Sequence, residues 1–523
     1  MHIAVIDDGI YEKCYNIGNL IHNIEITPEL NILQRDSYDL LRHSHGTTCA
    51  AIIKKYDQEA RFSSIRIIND GYTRGMQQQL VTAIDWCIGH DIKLINLSLG
   101  TTDYRDMEGL KLCINHAAGK GGIIIAACAN KDIVTYPASF TNVIGVKCNH
   151  FKDSDETEIC YFDAPMDGID IMTCGKHCIM DSLGHEVVTQ PSNSYAVPYI
   201  TAVAAQILRE HPGEDINFIK ERLRQTNALR NERKAATLIY RKIDWIENAI
   251  WFHLGTKSYD ITRFKNPMFH IAKIVEVRSD RLEIGIREAM NWVLESEYSS
   301  EIDTLILDAE AADHNCSRDI FSGFIKTLHL CHKQLVFLQE QIGRELSSAF
   351  EERPTGLKIW HADMLQGYEP TFPEDHDVQV PVIGVFAQNE WNPFPVLANL
   401  RRRFAQDGYD ALTASEGVMD VIGGAIYIHP QENRDLYRYI AALNRAYAPD
   451  LMILAQKEDK WNGGYSFDIR IWVEIEGNVR TMKGFAPGGD LAGDFHLIIR
   501  KDRADLERID QLYSWILKLL KPE

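Results

Sequence analysis

Short, wholly apolar runs alternate with longer stretches in which apolar residues recur every three or four positions, and this rhythm fills the first 230 residues. Residues 2–6, 62–70, 93–100 and 122–127 read as buried strands. Between them, residues 75–90, with Leu80, Ile84 and Cys87 on one face, and residues 107–118 read as helices. Two further apolar, small-residue runs read as buried helices: Cys49 to Ile53 after His45-Gly46-Thr47, and an Ala-rich run following Ser194 with Pro198 just inside it. Strand and helix in succession predict a parallel sheet covered on both faces, with the strand ends meeting at one rim.

The rhythm changes after the helix expected at 216–225. Residues 231–265 lack Gly/Ser or Pro runs and read as a helical connector rather than a flexible linker. A second alternation starts at 266, with strands at 270–277, 303–308 and 333–339 and helices around 286–294 and 321–332. A third starts at 380; it includes alternating apolar residues at 461–477, a glycine-rich loop at 484–494 and an amphipathic helix at 502–520. The expected organisation is an α/β domain over 1–230, a connector over 231–265, and doubly wound α/β domains over 266–379 and 380–523.

Composition narrows the function classes. With 55 basic against 74 acidic residues the net charge is −19, which argues against nucleic acid or an anionic membrane as partner. The opening MHIAVIDDGI has no charged leader followed by an apolar core, and no uncharged run approaches the roughly 20 residues that span a bilayer. A cytoplasmic protein is therefore expected. Eleven cysteines at irregular spacing fit free thiols. Cys174 and Cys178, with His177 between them, lack the second cluster a zinc site usually draws on, so neither metal nor cofactor is expected.

Three residues carry candidate chemistry. Asp7 ends the first strand before a glycine turn, where α/β sheets place ligands. His45 directly precedes a Gly-Thr helix entry and is preferred over His43 for that reason. Ser194 opens a buried helix whose free N–H groups point at whatever the hydroxyl attacks. Alone, each reads as a turn or cap residue. Together they supply nucleophile, base and orienting acid.

The segments VIDDGI, HGTTCA and SNSYAVP are similar to the aspartate, histidine and serine motifs of the subtilisin-like (S8) serine proteases. AACANKD, with Asn130, resembles that family's oxyanion segment, and TYPASFTNVIGV (135–146) the stretch after it. The resemblance covers about residues 1–230 and follows the family order Asp, His, Ser. It implies that Asp7, His45 and Ser194 form the triad, with Asn130 and the Ser194 N–H as oxyanion donors. It implies an extended peptide added as a strand between two edges, Ser98-Leu99-Gly100 and Tyr72-Thr73-Arg74-Gly75, over a pocket floored by Ala127, Cys128 and Ala129. Arg74 and Lys131 either favour acidic or polar residues near the cut or are solvated surface charges. The departures are Ser192-Asn193 in place of Gly-Thr, Val197 and Tyr199 in place of Ser and His around Pro198, and Cys49 in place of valine.

From 380 an apolar strand, the loop Ala387-Gln388-Asn389-Glu390-Trp391-Asn392-Pro393 and a helix with Arg401-Arg402-Arg403 follow the layout of a phosphate loop but lack G-x-x-x-x-G-K-[ST]. The C-terminal half faintly resembles P-loop NTPase-like proteins of bacterial peptide maturation systems. The two resemblances imply an intracellular endopeptidase that removes a leader from a specific precursor peptide, with maturation-system partner proteins. The alternative is a catalytically silent peptide-binding scaffold.

Overall fold

The computed structural model describes residues 1–68, 76–129, 133–149, 156–162, 167–226, 243–255, 269–279, 281–309, 316–338, 349, 354, 356–361, 378–387, 394–428, 436–457, 465–475, 493–499 and 506–520. The chain divides into two units, Met1–Glu247 and Asn248–Glu523.

The first unit is built from β1 (His2–Asp7), β2 (Asn23–Ile26), β3 (Ile32–Gln34), α1 (His45–Tyr56), β4 (Arg61–Arg66), α2 (Met76–Gly89), β5 (Leu94–Leu97), α3 (Met107–Gly119), β6 (Ile123–Ala127), β7 (Ile144–Cys148), β8 (Ile159–Tyr161), β9 (Ile171–Thr173), β10 (Cys178–Met180), β11 (Glu186–Val188), α4 (Asn193–Glu210) and α5 (Ile216–Gln225). Its nine-stranded sheet runs β3-β2-β4-β1-β5-β6-β7-β9-β8. Every neighbouring pair is parallel except β2/β3 and β8/β9 at the two edges. Chain order turns back at β1, which lies between β4 and β5, so Asp7 ends the strand at the switch point where such sheets place ligands.

Side-chain alternation along β1 divides the core. Ile3 and Val5 face a cluster that includes Ile52 and Ile53 of α1 and Ala196, Ile200 and Ala204 of α4, while Ala4 and Ile6 point to the opposite face. α1 and α4 pack against each other on one side of the sheet, and α2 and α3 pair on the other. Alanines along α4 allow this close approach to α1 and to β5, β6 and β7.

The second unit contains two all-parallel sheets. The first runs β13 (His270–Val277), β12 (Asn248–Leu254), β14 (Thr304–Asp308), β15 (Gln334–Leu338), β16 (Ile359–His361). Its core takes in α6 (Leu282–Glu295) and α7 (Arg318–Leu330). The second runs β19 (Ile426–Tyr427), β18 (Ala411–Ser415), β20 (Leu451–Lys457), β17 (Val382–Ala387), β21 (Ile469–Ile475), β22 (Gly493–Ile499). α8 (Phe394–Gln406) and α11 (Leu506–Leu520) pack into its core; α9 (Val418–Ile422) and α10 (Leu436–Tyr447) also belong to this unit.

The stretch read from sequence as a helical connector is corrected in part: β12 lies inside 231–265 and is an interior strand of the first of these sheets. Ala249, Ile250, Trp251, Phe252 and Leu254 are all buried. A strand covered on both faces has no alternation to betray it.

Candidate active site

Asp7 and His45 meet because the start of α1 is held against the end of β1. Ser44 caps α1, its hydroxyl accepting from the Thr47 N–H at 3.1 Å and donating to the Gly9 carbonyl at 2.7 Å. Asp8 adds a second cap that sequence reasoning missed: its carboxylate accepts from the N–H groups of His45 (3.1 Å) and Gly46 (2.8 Å). Gly46 is required by contact, since a Cβ there would lie 2.9 Å from the Gly9 carbonyl oxygen and 3.0 Å from the Asp7 Cβ. The result is a 2.8 Å hydrogen bond between His45 Nδ1 and Asp7 Oδ2. His43, the alternative two residues earlier, lies instead against Cys14, 3.2 Å from its sulfur.

Burial pushes the Asp7 carboxyl above the usual carboxylate range, while the His45 hydrogen bond pulls it back. His45 is held above the usual imidazole range, by Cys49 first and then by the hydrogen bond and charge of Asp7, against the opposing effect of its own burial. Burial also pushes the Cys49 thiol up. A neutral thiol exerts little pull on a cation, so Asp7 is the influence that persists. Asp7, His45 and Cys49 place their ligand atoms within 4.8 Å of one another, but the carboxylate and imidazole are already spent on each other.

Ser194 is the second residue of α4 and half-buried. Three devices hold the turn that carries it. Ser192 is the N-cap, its hydroxyl accepting from the Tyr195 N–H at 3.3 Å. Asn193 is a strut: its Oδ1 accepts from the Cys148 N–H (2.7 Å), and its Nδ2 donates to the carbonyls of Ala129 (2.8 Å) and Cys128 (3.2 Å). Asn193 thus ties the turn that carries Ser194 to the ends of β6 and β7. The third device answers Pro198. A proline inside a helix cannot donate to the carbonyl four residues back, here that of Ser194. Ser98 Oγ fills the gap, donating to this carbonyl at 2.9 Å, with the Cys49 sulfur 3.9 Å away.

The ring of Tyr195 stacks on His45, centroids 5.1 Å apart. Among the described residues the Ser194 hydroxyl forms no hydrogen bond, and the Ser194 N–H donates to no acceptor. Ser98, Leu99 and Gly100 follow β5, with Gly100 so close to the Tyr136 carbonyl that a Cβ would lie 2.7 Å from it. Ala127 ends β6, and Cys128 and Ala129 are gripped by Asn193. Asn130, Lys131, Tyr72, Thr73, Arg74 and Gly75 lie outside the described residues, as do the degenerate phosphate-loop residues 388–393 and most of the glycine-rich loop. In the second unit, His253 and Asp308 form a 2.8 Å pair near the C-terminal ends of neighbouring strands, a juxtaposition with no sequence signal.

The fold and site define a parallel α/β domain whose rim carries a buried aspartate paired with a partly exposed histidine, and a serine at a helix start. Residues 1–241 match the model of the Subtilase family. The minor extracellular protease Epr of Bacillus subtilis (strain 168) is 26% identical over 235 residues, 43% of this chain and 34% of its own length. The thermostable alkaline protease of Halalkalibacterium halodurans is 27% identical over 234 residues, 42% of this chain and 63% of its own. The chain therefore spans less than two thirds of the length of either relative. A solved structure of the prenylagaramide maturation protease PagA is 20% identical, covering 40% of this chain and 76% of that one, with a TM-score of 0.29. No helix among the described residues is long and apolar enough to cross a membrane.

Proposed function

We propose that the N-terminal unit is a serine endopeptidase. The observation that carries this reading is the 2.8 Å Asp7–His45 bond at the rim where Ser194 opens α4. In the proposed reaction His45 takes the Ser194 proton as the hydroxyl attacks a peptide carbonyl, then passes it to the leaving amine. Asp7 keeps the imidazole proton on Nδ1 and steadies the imidazolium. The undonated Ser194 N–H and the positive end of α4 suit the developing oxyanion, with Asn130 as the second donor.

The finer reading is a cytoplasmic processing enzyme that removes a leader from a specific precursor peptide, assisted by maturation-system partners. A dedicated substrate is favoured because about half of the chain lies outside the peptidase domain and is built on hydrophobic cores of its own. Incubating candidate precursor peptides with the protein and with Ser194→Ala, followed by mass spectrometry, tests it: one cut made only by the unaltered chain supports the reading, and no serine-dependent cut refutes it. The second reading, a silent peptide-binding scaffold, is favoured by the absence of a Ser194–His45 hydrogen bond among the described residues. Fluorophosphonate labelling separates the two, since only an activated serine reacts.

A further inference from the structure

His177 sits wholly buried behind the nucleophile turn. Its Nε2 is 2.9 Å from the Tyr195 carbonyl oxygen, and its Nδ1 is 2.9 Å from the Tyr56 hydroxyl. That hydroxyl is 3.0 Å from Glu156 Oε2, and Lys55 Nζ donates to the same carboxylate oxygen at 2.5 Å. Glu156 is partly exposed, so the row runs from the surface to the residue after Ser194.

Counting protons along this row gives an unexpected result. Both ends, a carbonyl and a carboxylate, are acceptors only. The three contacts between them need three protons, but a neutral imidazole and a phenol supply two. One contact is therefore unmade unless a third proton arrives. A hydrogen bond to a carboxylate is roughly twice as strong as a neutral one, so the Tyr56 proton goes to Glu156. Donating to a carboxylate polarises the Tyr56 hydroxyl and makes its oxygen the stronger acceptor, so Nδ1–H donates to it and the lone pair of Nε2 faces the Tyr195 carbonyl. The gap falls at the nucleophile end.

We propose that His177, Tyr56 and Glu156 form a one-proton-short relay, and that its protonation pattern positions the Tyr195 main chain and with it Ser194. The proposal rests on Ser194 being the nucleophile. His177 is a positioning residue, acting through Tyr195, whose ring also lies on His45. The groups facing it are Lys55 and Tyr56 from α1, Glu156 from the segment before β8, Tyr195 and Tyr199 from α4, Cys174 from its own loop and Thr189, whose hydroxyl accepts from the His177 main-chain N–H at 2.8 Å. Burial pushes the imidazole down to about 4. Burial also acts to raise Glu156, but the Lys55 and Tyr56 hydrogen bonds outweigh it and hold the carboxyl below its ordinary value. The third proton therefore enters only in the acid range, and the gap persists at neutral pH.

Tyr56→Phe tests this, because it removes the oxygen that holds the imidazole proton on Nδ1 and frees that proton for Nε2, which faces the Tyr195 carbonyl. Histidine 15N NMR of the full chain at neutral pH, with the His177 signals assigned by their loss in His177→Gln, is expected to show the Nδ1–H tautomer in the unaltered protein and the Nε2–H tautomer in Tyr56→Phe. The same tautomer in both overturns the relay. Fluorophosphonate labelling of Ser194 is expected to be about three- to tenfold faster in Tyr56→Phe than in the unaltered protein, the worth of one neutral hydrogen bond. Equal rates with a changed tautomer overturn the positioning role. No labelling in any chain overturns the nucleophile reading and the positioning role with it, whereas the tautomer measurement still decides the relay.

Discussion

Replacing Asn193 by alanine puts the bracing of the turn that carries Ser194 to a quantitative test. The side chain is buried and makes three hydrogen bonds: from the Cys148 N–H at 2.7 Å, and to the carbonyls of Ala129 at 2.8 Å and Cys128 at 3.2 Å. Truncation leaves these backbone groups without the amide. The Cys148 N–H lies in a buried strand, where an unmet donor costs about 1–3 kcal/mol. The two carbonyls belong to half-buried residues and add less, for a total of about 2–4 kcal/mol. For a unit of this size that lowers the melting temperature by roughly 5–15 °C. Because the same bonds hold the turn beneath Ser194, labelling by a fluorophosphonate is expected to slow as well, measured well below the new transition. Calorimetry and labelling on the full chain read the two effects. A variant that melts within a degree of the unaltered protein and labels at the same rate would refute the view that Asn193 braces the site.

Other consequences follow from single contacts. Gly46→Ala drives a Cβ into the Gly9 carbonyl and Asp7, forcing α1 off β1, and is expected to cut labelling about 100-fold; an unchanged rate contradicts the packing argument. Ser98→Ala leaves the Ser194 carbonyl without its main donor and is expected to cost about 1–3 kcal/mol by thermal unfolding. The cost is expected to shrink in a Pro198→Ala background, where residue 198 regains an N–H that reaches the same carbonyl. Equal costs in both backgrounds count against it. For pH, His45 must be neutral to act as base and its pKa is raised, so the labelling rate is expected to rise with pH along a limb above 6.5 and to fall away on acidification. Asp7→Asn is expected to move that limb down; a limb below 6.5 in the unaltered chain contradicts the coupling.

The parts of this molecule that could be read from sequence were those written in local chemistry. Asp7 and His45 announce themselves as a carboxylate and an imidazole at the ends of regular elements, and the strand and helix rhythm of the first unit needs only neighbours in sequence. The Ser192-Asn193 pair was visible as a departure, but its effect was not. The groups Asn193 binds, on Cys148, Ala129 and Cys128, are 45 to 65 residues away and meet it only when β6 and β7 pair. His177 read as one member of an incomplete metal cluster, because its partner Tyr56 is 121 residues distant and its proton deficit is a property of four groups together. β12 was hidden for a simpler reason: an interior strand buried on both faces shows no period, and its one polar residue near the rim, His253, finds its partner on the next strand.

Mass spectrometry of the chain after reaction with a fluorophosphonate, with the adduct mapped to its residue, tests the central claim most directly. The account predicts one adduct, on Ser194, formed quickly in the unaltered protein, slowed by orders of magnitude in His45→Ala, and absent in Ser194→Ala. A chain that takes up no reagent, or one whose labelling ignores His45, would contradict it.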